Sequence, residues 1–198
     1  MMMMIAALLA GVVAQASLQP YQPLVAGSRY VYSCSGGISA VRTISNGAIN
    51  GVSGFANMLS LTIPGQPSVQ FGELQLNDSL GTKTGGWLFA PTYPSVQINP
   101  PQLELPINPV LGQNLSLPDG YGGTITVTYA GLTTVTGYAR IYTGVAVFKE
   151  TDSGHPPVPF PRTVYMVKGI GEVQTDLAAS AQLNSPATTC TLASFSIP

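Results

Sequence analysis

Apolar and polar residues alternate with a period of two along much of this chain, the spacing that sends successive side chains to opposite faces of a β-strand. The clearest run is Thr124-Ile125-Thr126-Val127-Thr128-Tyr129, with Ile125, Val127 and Tyr129 on one face and three threonines on the other. Comparable runs cover 30–33, 58–63, 69–76, 133–138, 141–149, 163–167 and 172–177. Between them fall Ser45-Asn46-Gly47, Pro64-Gly65, Pro118-Asp119-Gly120 and Ser153-Gly154. These are turn residues: Gly tolerates positive φ, Pro presets φ, and Asn or Asp bonds to its own backbone. Helical periodicity is nearly absent; the alanine-rich stretch 177–183 suits a turn or two of helix or a strand. The expected fold is all-β, an antiparallel and strongly curved sheet forming an open barrel or a sandwich.

Two stretches break the alternation. Residues 5–13 form an apolar run followed by Ala14-Gln15-Ala16, too short to span a bilayer and ending in the small-x-small arrangement that signal peptidase accepts. Residues 1–16 are therefore expected to be a signal peptide, with a mature β-domain over 17–198 that has no transmembrane span. From 90 to 109 the chain carries Pro91, Pro94, Pro100, Pro101, Pro106 and Pro109, which no central strand accommodates because Pro has no amide to donate. That stretch is expected to be extended or looped. It leaves two descriptions open, one domain or two β-halves (17–90 and 110–198) joined by a Pro-rich bridge (91–109). A second Pro-rich loop follows His155, and both loops read as surface crossovers or edge protection.

Charge is scarce. Seven Lys and Arg stand against eight Asp and Glu, 8% of the chain, where soluble domains ordinarily have about 25%. No basic footprint for nucleic acid exists, and solubility must rest on hydroxyls and amides. The two cysteines, Cys34 and Cys190, read as one disulfide in an exported chain.

The composition also narrows the chemistry. A Ser-His-acid hydrolase would need His155, the sole histidine, which sits in a Pro-rich loop without the G-x-S-x-G elbow. Zinc or copper would lack soft ligands. Glu150 and Asp152 could offer oxygens to calcium but read as a solvated strand end. Glu73, Glu104, Glu150 and Glu172 lie in or beside strands, where alternation places most of them toward water. No cofactor is expected. Trp87, Phe89 and Tyr93 are candidate ligand-facing aromatics, and Tyr30, Tyr32, Tyr138, Tyr142 and Tyr165 could line one face of a curved sheet.

Three further stretches carry a resemblance. The stretch Tyr21-Gln22-Pro23-Leu24-Val25-Ala26-Gly27-Ser28-Arg29-Tyr30-Val31-Tyr32 resembles the opening of a loose group of bacterial exported β-proteins, in which Pro-Leu, a Gly and an aromatic pair introduce the first strand. Leu105 to Leu115 looks like a second, shorter copy. Tyr165-Met166-Val167-Lys168-Gly169-Ile170-Gly171-Glu172-Val173 is similar to the group's closing signature, a tyrosine strand, a Gly-x-Gly turn and a valine strand. The resemblance implies a periplasmic, envelope-associated or secreted β-protein and no enzyme activity. The expected role is a non-catalytic, structural or interacting envelope component, whose partners would be other envelope proteins or an apolar ligand. The alternatives are a carrier holding a lipid-like ligand in a curved sheet, and a cofactor-free hydrolase.

Overall fold

The computed structural model describes residues 19–90, 95–154, 161–179 and 186–198. The expected signal peptide, Tyr93, His155 and the side chain of Phe89 lie outside the described residues. The strands are β1 (Arg29–Cys34), β2 (Ser39–Ile49), β3 (Val52–Thr62), β4 (Val69–Asn77), β5 (Gly81–Ala90), β6 (Val96–Pro106), β7 (Asn114–Pro118), β8 (Thr124–Thr136), β9 (Ile141–Asp152), β10 (Arg162–Val167), β11 (Gly171–Leu177) and β12 (Thr188–Ser196). They form one antiparallel sheet in the order β6-β5-β4-β3-β2-β1-β12-β11-β10-β9-β8-β7. The chain is thus two six-stranded meanders joined through their first and last strands, and the sheet curls until its edges nearly close a barrel. Trp87 on β5 bridges the remaining gap, its Nε1 donating to the Pro118 carbonyl at 2.9 Å. No helix among the described residues is long and apolar enough to cross a membrane.

The Pro-rich stretch supplies β6, at an edge of this same sheet. Pro100 and Pro101 lie inside that strand, with the Asn99–Pro100 peptide cis. An edge strand needs ladder bonds on one side only, which is why the prolines are tolerated there.

One turn and one division between strands need correction. Ser45-Asn46-Gly47 lies within β2, and the β2–β3 hairpin turns instead at Asn50-Gly51, with φ of 47° and 85°. Positive φ at both central residues is the two-residue hairpin geometry that matches strand twist. Gly47 serves packing, since a Cβ there would stand 2.9 Å from the Ala56 Cβ. The runs 124–129 and 133–138 also do not make separate strands: Thr124 to Thr136 is one strand with register shifts at Tyr129/Gly131 and Thr133/Val135.

Cys34 and Cys190 face each other across β1 and β12 and form a disulfide, stapling the seam between the meanders. The interior holds two apolar clusters. One contains Trp87, Leu117, Val127, Phe148 and Met166, and the other Tyr30, Tyr32, Phe71, Tyr142 and Val173. Of the tyrosines expected on one face, Tyr30, Tyr32 and Tyr142 are buried, Tyr165 packs at the cluster's edge, and Tyr138 is exposed.

Candidate functional site

Every glutamate in the chain points into the barrel, contrary to the expectation that most face water. Strand parity explains this. Glu73 shares a face of β4 with Phe71, and Glu150 shares a face of β9 with Phe148, both rings belonging to the buried clusters. Glu104 precedes Leu105 near the end of β6, and Glu172 lies where β10 and β11 slip register. Arg42, between buried Ala40 and Ile44 on β2, and Arg162, opposite Glu150 on β10, come in with them. Glu104 and Glu150 are only 4% and 2% exposed, so the reading of Glu150 as a solvated strand end is also corrected.

These groups make a bonded network. Arg162 donates from Nε to Glu150 Oε2 at 2.5 Å, and its Nη2 lies 3.6 Å from Glu73 Oε1. Arg42 Nη2 donates to Glu172 Oε2 at 2.6 Å. Gln75 Nε2 donates to Glu73 Oε2 at 2.7 Å and reaches Glu104 Oε2 at 3.4 Å. Thr84 Oγ1 donates to Glu104 Oε2 at 2.5 Å, and Asn57 Nδ2 to Gln75 Oε1 at 2.9 Å. Eight strands contribute, so the network forms only when the barrel does.

Two guanidiniums face four carboxyls, and the excess acid resides on Glu104. Burial, then the charges of Glu73 and Glu150, hold its carboxyl well above the usual range. Burial also raises Glu150, outweighing the opposing pull of Arg162. Burial works against the charge on Arg162, but Glu150, Glu73 and Glu104 more than offset it. A carboxyl held above its usual range beside other carboxyls is an arrangement that acid–base hydrolysis can use.

The space between them decides what that division can do. A cavity of about 40 Å³ is lined by these charges together with Leu59, Phe71, Leu105, Val164 and Met166, at the junction of the two apolar clusters. That volume admits a few water molecules. Drug-sized or sugar-sized ligands take pockets of about 300–1,000 Å³. Gln22 Nε2, Arg42 Nε and Asn57 Oδ1 are buried around it without a hydrogen-bond partner among the described residues, which makes it a polar site.

A second carboxyl pair sits between the turn after β7 and the end of β9. Asp119 Oδ1 accepts from the amides of Tyr121 and Gly123 at 2.7 and 2.8 Å, and Asp152 Oδ1 from that of Gly154 at 2.8 Å. Burial and then Asp119 raise the Asp152 carboxyl above its ordinary value. Glu150 and Asp152 lie two residues apart on β9 but have different partners, Glu150 in the central network with Arg162 and Asp152 at the Gly154 amide, and do not converge on one ligand.

Among the candidate aromatics, Trp87 is buried and bonded to Pro118 of its own barrel. Phe89 and Tyr93 are the pair whose side chains lie outside the described residues.

Fold and site together define a single-sheet, twelve-stranded antiparallel, nearly closed barrel with a charge network buried in its centre. No protein-family model matches the chain, and no curated protein matches it. A solved structure from Bacteroides fragilis, described as a "putative exported protein with YmcC-like fold", is similar at 12% identity and a TM-score of 0.48. The match covers 90% of this chain and 99% of that one. A likeness of that size carries no conclusion about activity.

Proposed function

We propose that the protein is an exported, non-catalytic β-barrel with a structural or interacting role in the cell envelope, exercised through its outer surface and rims. The observation that carries this reading is the interior: side chains fill it, and its central cavity of about 40 Å³ is walled by ion pairs. An acyl carrier needs a continuous apolar cavity, and the centre of this barrel is charged. The Cys34–Cys190 disulfide and the apolar leader both suit an oxidising compartment.

The hydrolase reading keeps one specific support, the raised carboxyl of Glu104 beside Glu73 and Glu150. Against it stands the lack of room for a sugar ring or an ester beside those carboxyls. Native mass spectrometry of the mature protein, purified from its own envelope, tests the proposal. The expected result is a bare chain beginning at Ser17 whose mass rises by two hydrogens on reduction. A retained acyl-type mass would overturn the proposal in favour of a carrier. Hydrolysis of nitrophenyl esters or glycosides that disappears in Glu150→Gln would overturn it in favour of an enzyme.

A further inference from the structure

The two edges of the sheet are not equally protected. Edge β6 carries Pro100 and Pro101, residues that discourage a further strand. At the other edge, β7 covers only Thr124 to Thr128 of β8, and Gly112 and Gln113 extend that cover to Tyr129. From Ala130 to Thr136, β8 has β9 on one side and, among the described residues, no backbone partner on the other. Those seven residues, Ala-Gly-Leu-Thr-Thr-Val-Thr, carry no charge, and no inward-facing lysine blunts the edge.

Exposed apolar side chains gather at the same place. Of the eight large hydrophobics that remain exposed among the described residues, Val110, Leu111, Leu132, Tyr138 and Ile141 lie on this hairpin or on the turn beside it, the last four at 72%, 66%, 67% and 65% exposure. Such clustering, unlike scattered exposure, marks an interaction surface. We infer that this edge pairs with the same edge of a second copy of the chain, antiparallel about Thr133, to form a two-fold dimer.

Geometry and charge both select a second copy. An unpaired antiparallel edge offers alternating amides and carbonyls, which an extended strand satisfies. Pairing about Thr133 sets Leu132 of one copy opposite Thr134 of the other. Leu111 lies against Gly131, its Cδ1 3.5 Å from where a Cβ would stand. The two-fold therefore brings the hairpin tip of one copy, with Tyr138 and Ile141, to Val110 and Leu111 of the other, and the contact occurs twice. A neutral edge meets itself without like-charge repulsion. The register shifts either side of Gly131–Thr133 keep the shared ladder short, so the apolar contacts at its ends must supply most of the affinity, and the dimer is expected to dissociate at micromolar concentration.

The inference rests on the reading that the outer surface acts, but its readout is assembly, which stands or falls separately from any ligand or hydrolysis result. Light scattering after gel filtration, from low to several hundred micromolar, should show the mature protein moving from one to two copies. Hydrogen exchange should slow at 130–136 over the same range. Leu132→Lys with Thr134→Lys should stay monomeric while melting as the wild-type monomer does. A wild-type chain that remains monomeric throughout overturns the inference, and so does a dimer in which the amides of 130–136 exchange as fast as in the monomer. Because the exchange measurement uses the wild-type protein, a misfolded variant leaves the test intact.

Discussion

Replacing Arg162 by Met removes one of two cations from the barrel's centre while roughly preserving volume. Arg162 is bonded to Glu150, approaches Glu73, and holds down the carboxyls of Glu150 and Glu104. Without it, four carboxyls share Arg42 alone. Removing one partner of a buried pair costs about 3–5 kcal/mol, because the remaining charge is uncompensated. In a chain of this length that corresponds to roughly 6–20 °C in melting temperature at neutral pH. The sign with pH follows from the same contacts. Losing Arg162 raises Glu150 and Glu104 further above the unfolded glutamate value of about 4.3. The penalty is therefore small below that value and grows as pH rises through the folded values. Urea unfolding of the oxidised protein at pH 4 and pH 8, with unchanged m-values, measures it. The double variant Arg162→Met with Glu150→Gln should regain much of the loss, since it removes both charges together. A single variant that costs under about 1 kcal/mol at pH 8, or equally much at both pH values, would refute the account of the network as an interdependent charge set.

Two further outcomes follow from named contacts. Glu104 has a raised carboxyl, so its contribution to stability is fully present below about pH 4.3 and is lost as pH rises through its folded value; Glu104→Gln, which still accepts from Thr84, should flatten the decline, and a profile parallel to wild type counts against a protonated Glu104. Reducing the Cys34–Cys190 bond opens a crosslink spanning 156 residues, which the chain-entropy model values at about 5 kcal/mol; a melting temperature unmoved by reductant would mean that the β1–β12 ladder alone holds the seam.

Much of this barrel is legible in the alternation. Strands β1, β4, β9, β10 and β11 coincide closely with period-two runs because each sets apolar residues on at least one face. Strands β2 and β5 are hidden by glycine: Asn46-Gly47 reads as a turn and Gly85-Gly86 interrupts the alternation, yet Gly47 and Gly86 are there because backbone or side chains of neighbouring strands occupy the space a Cβ would need. The central network is only half legible. Glu73 stands two residues from Phe71, Glu150 two from Phe148, and Arg162 two from Val164, so parity alone places them with the core. Burial is counterintuitive for charged residues because each is costly unless paired, and the pairing of Glu150 with Arg162 depends on the β9–β10 register. Glu172 sits at a register shift, where parity stops being a guide.

The distribution of charge ties the interior to the outside. In a barrel of largely neutral strands, a slip of one residue exchanges the inner and outer faces of a strand, and a slip of two keeps the face but misplaces every partner. Arg162 opposite Glu150 and Arg42 against Glu172 penalise both errors, since either leaves a buried charge unpaired. Placing all four glutamates and two of the four arginines inside also leaves an outer surface of hydroxyls, amides and few charges. That surface offers little electrostatic resistance to association. The network that enforces register therefore leaves the β8 edge without charges to ward off a second strand. If the double variant regains stability while its near-ultraviolet circular dichroism loses definition, the buried charges act chiefly to select one register.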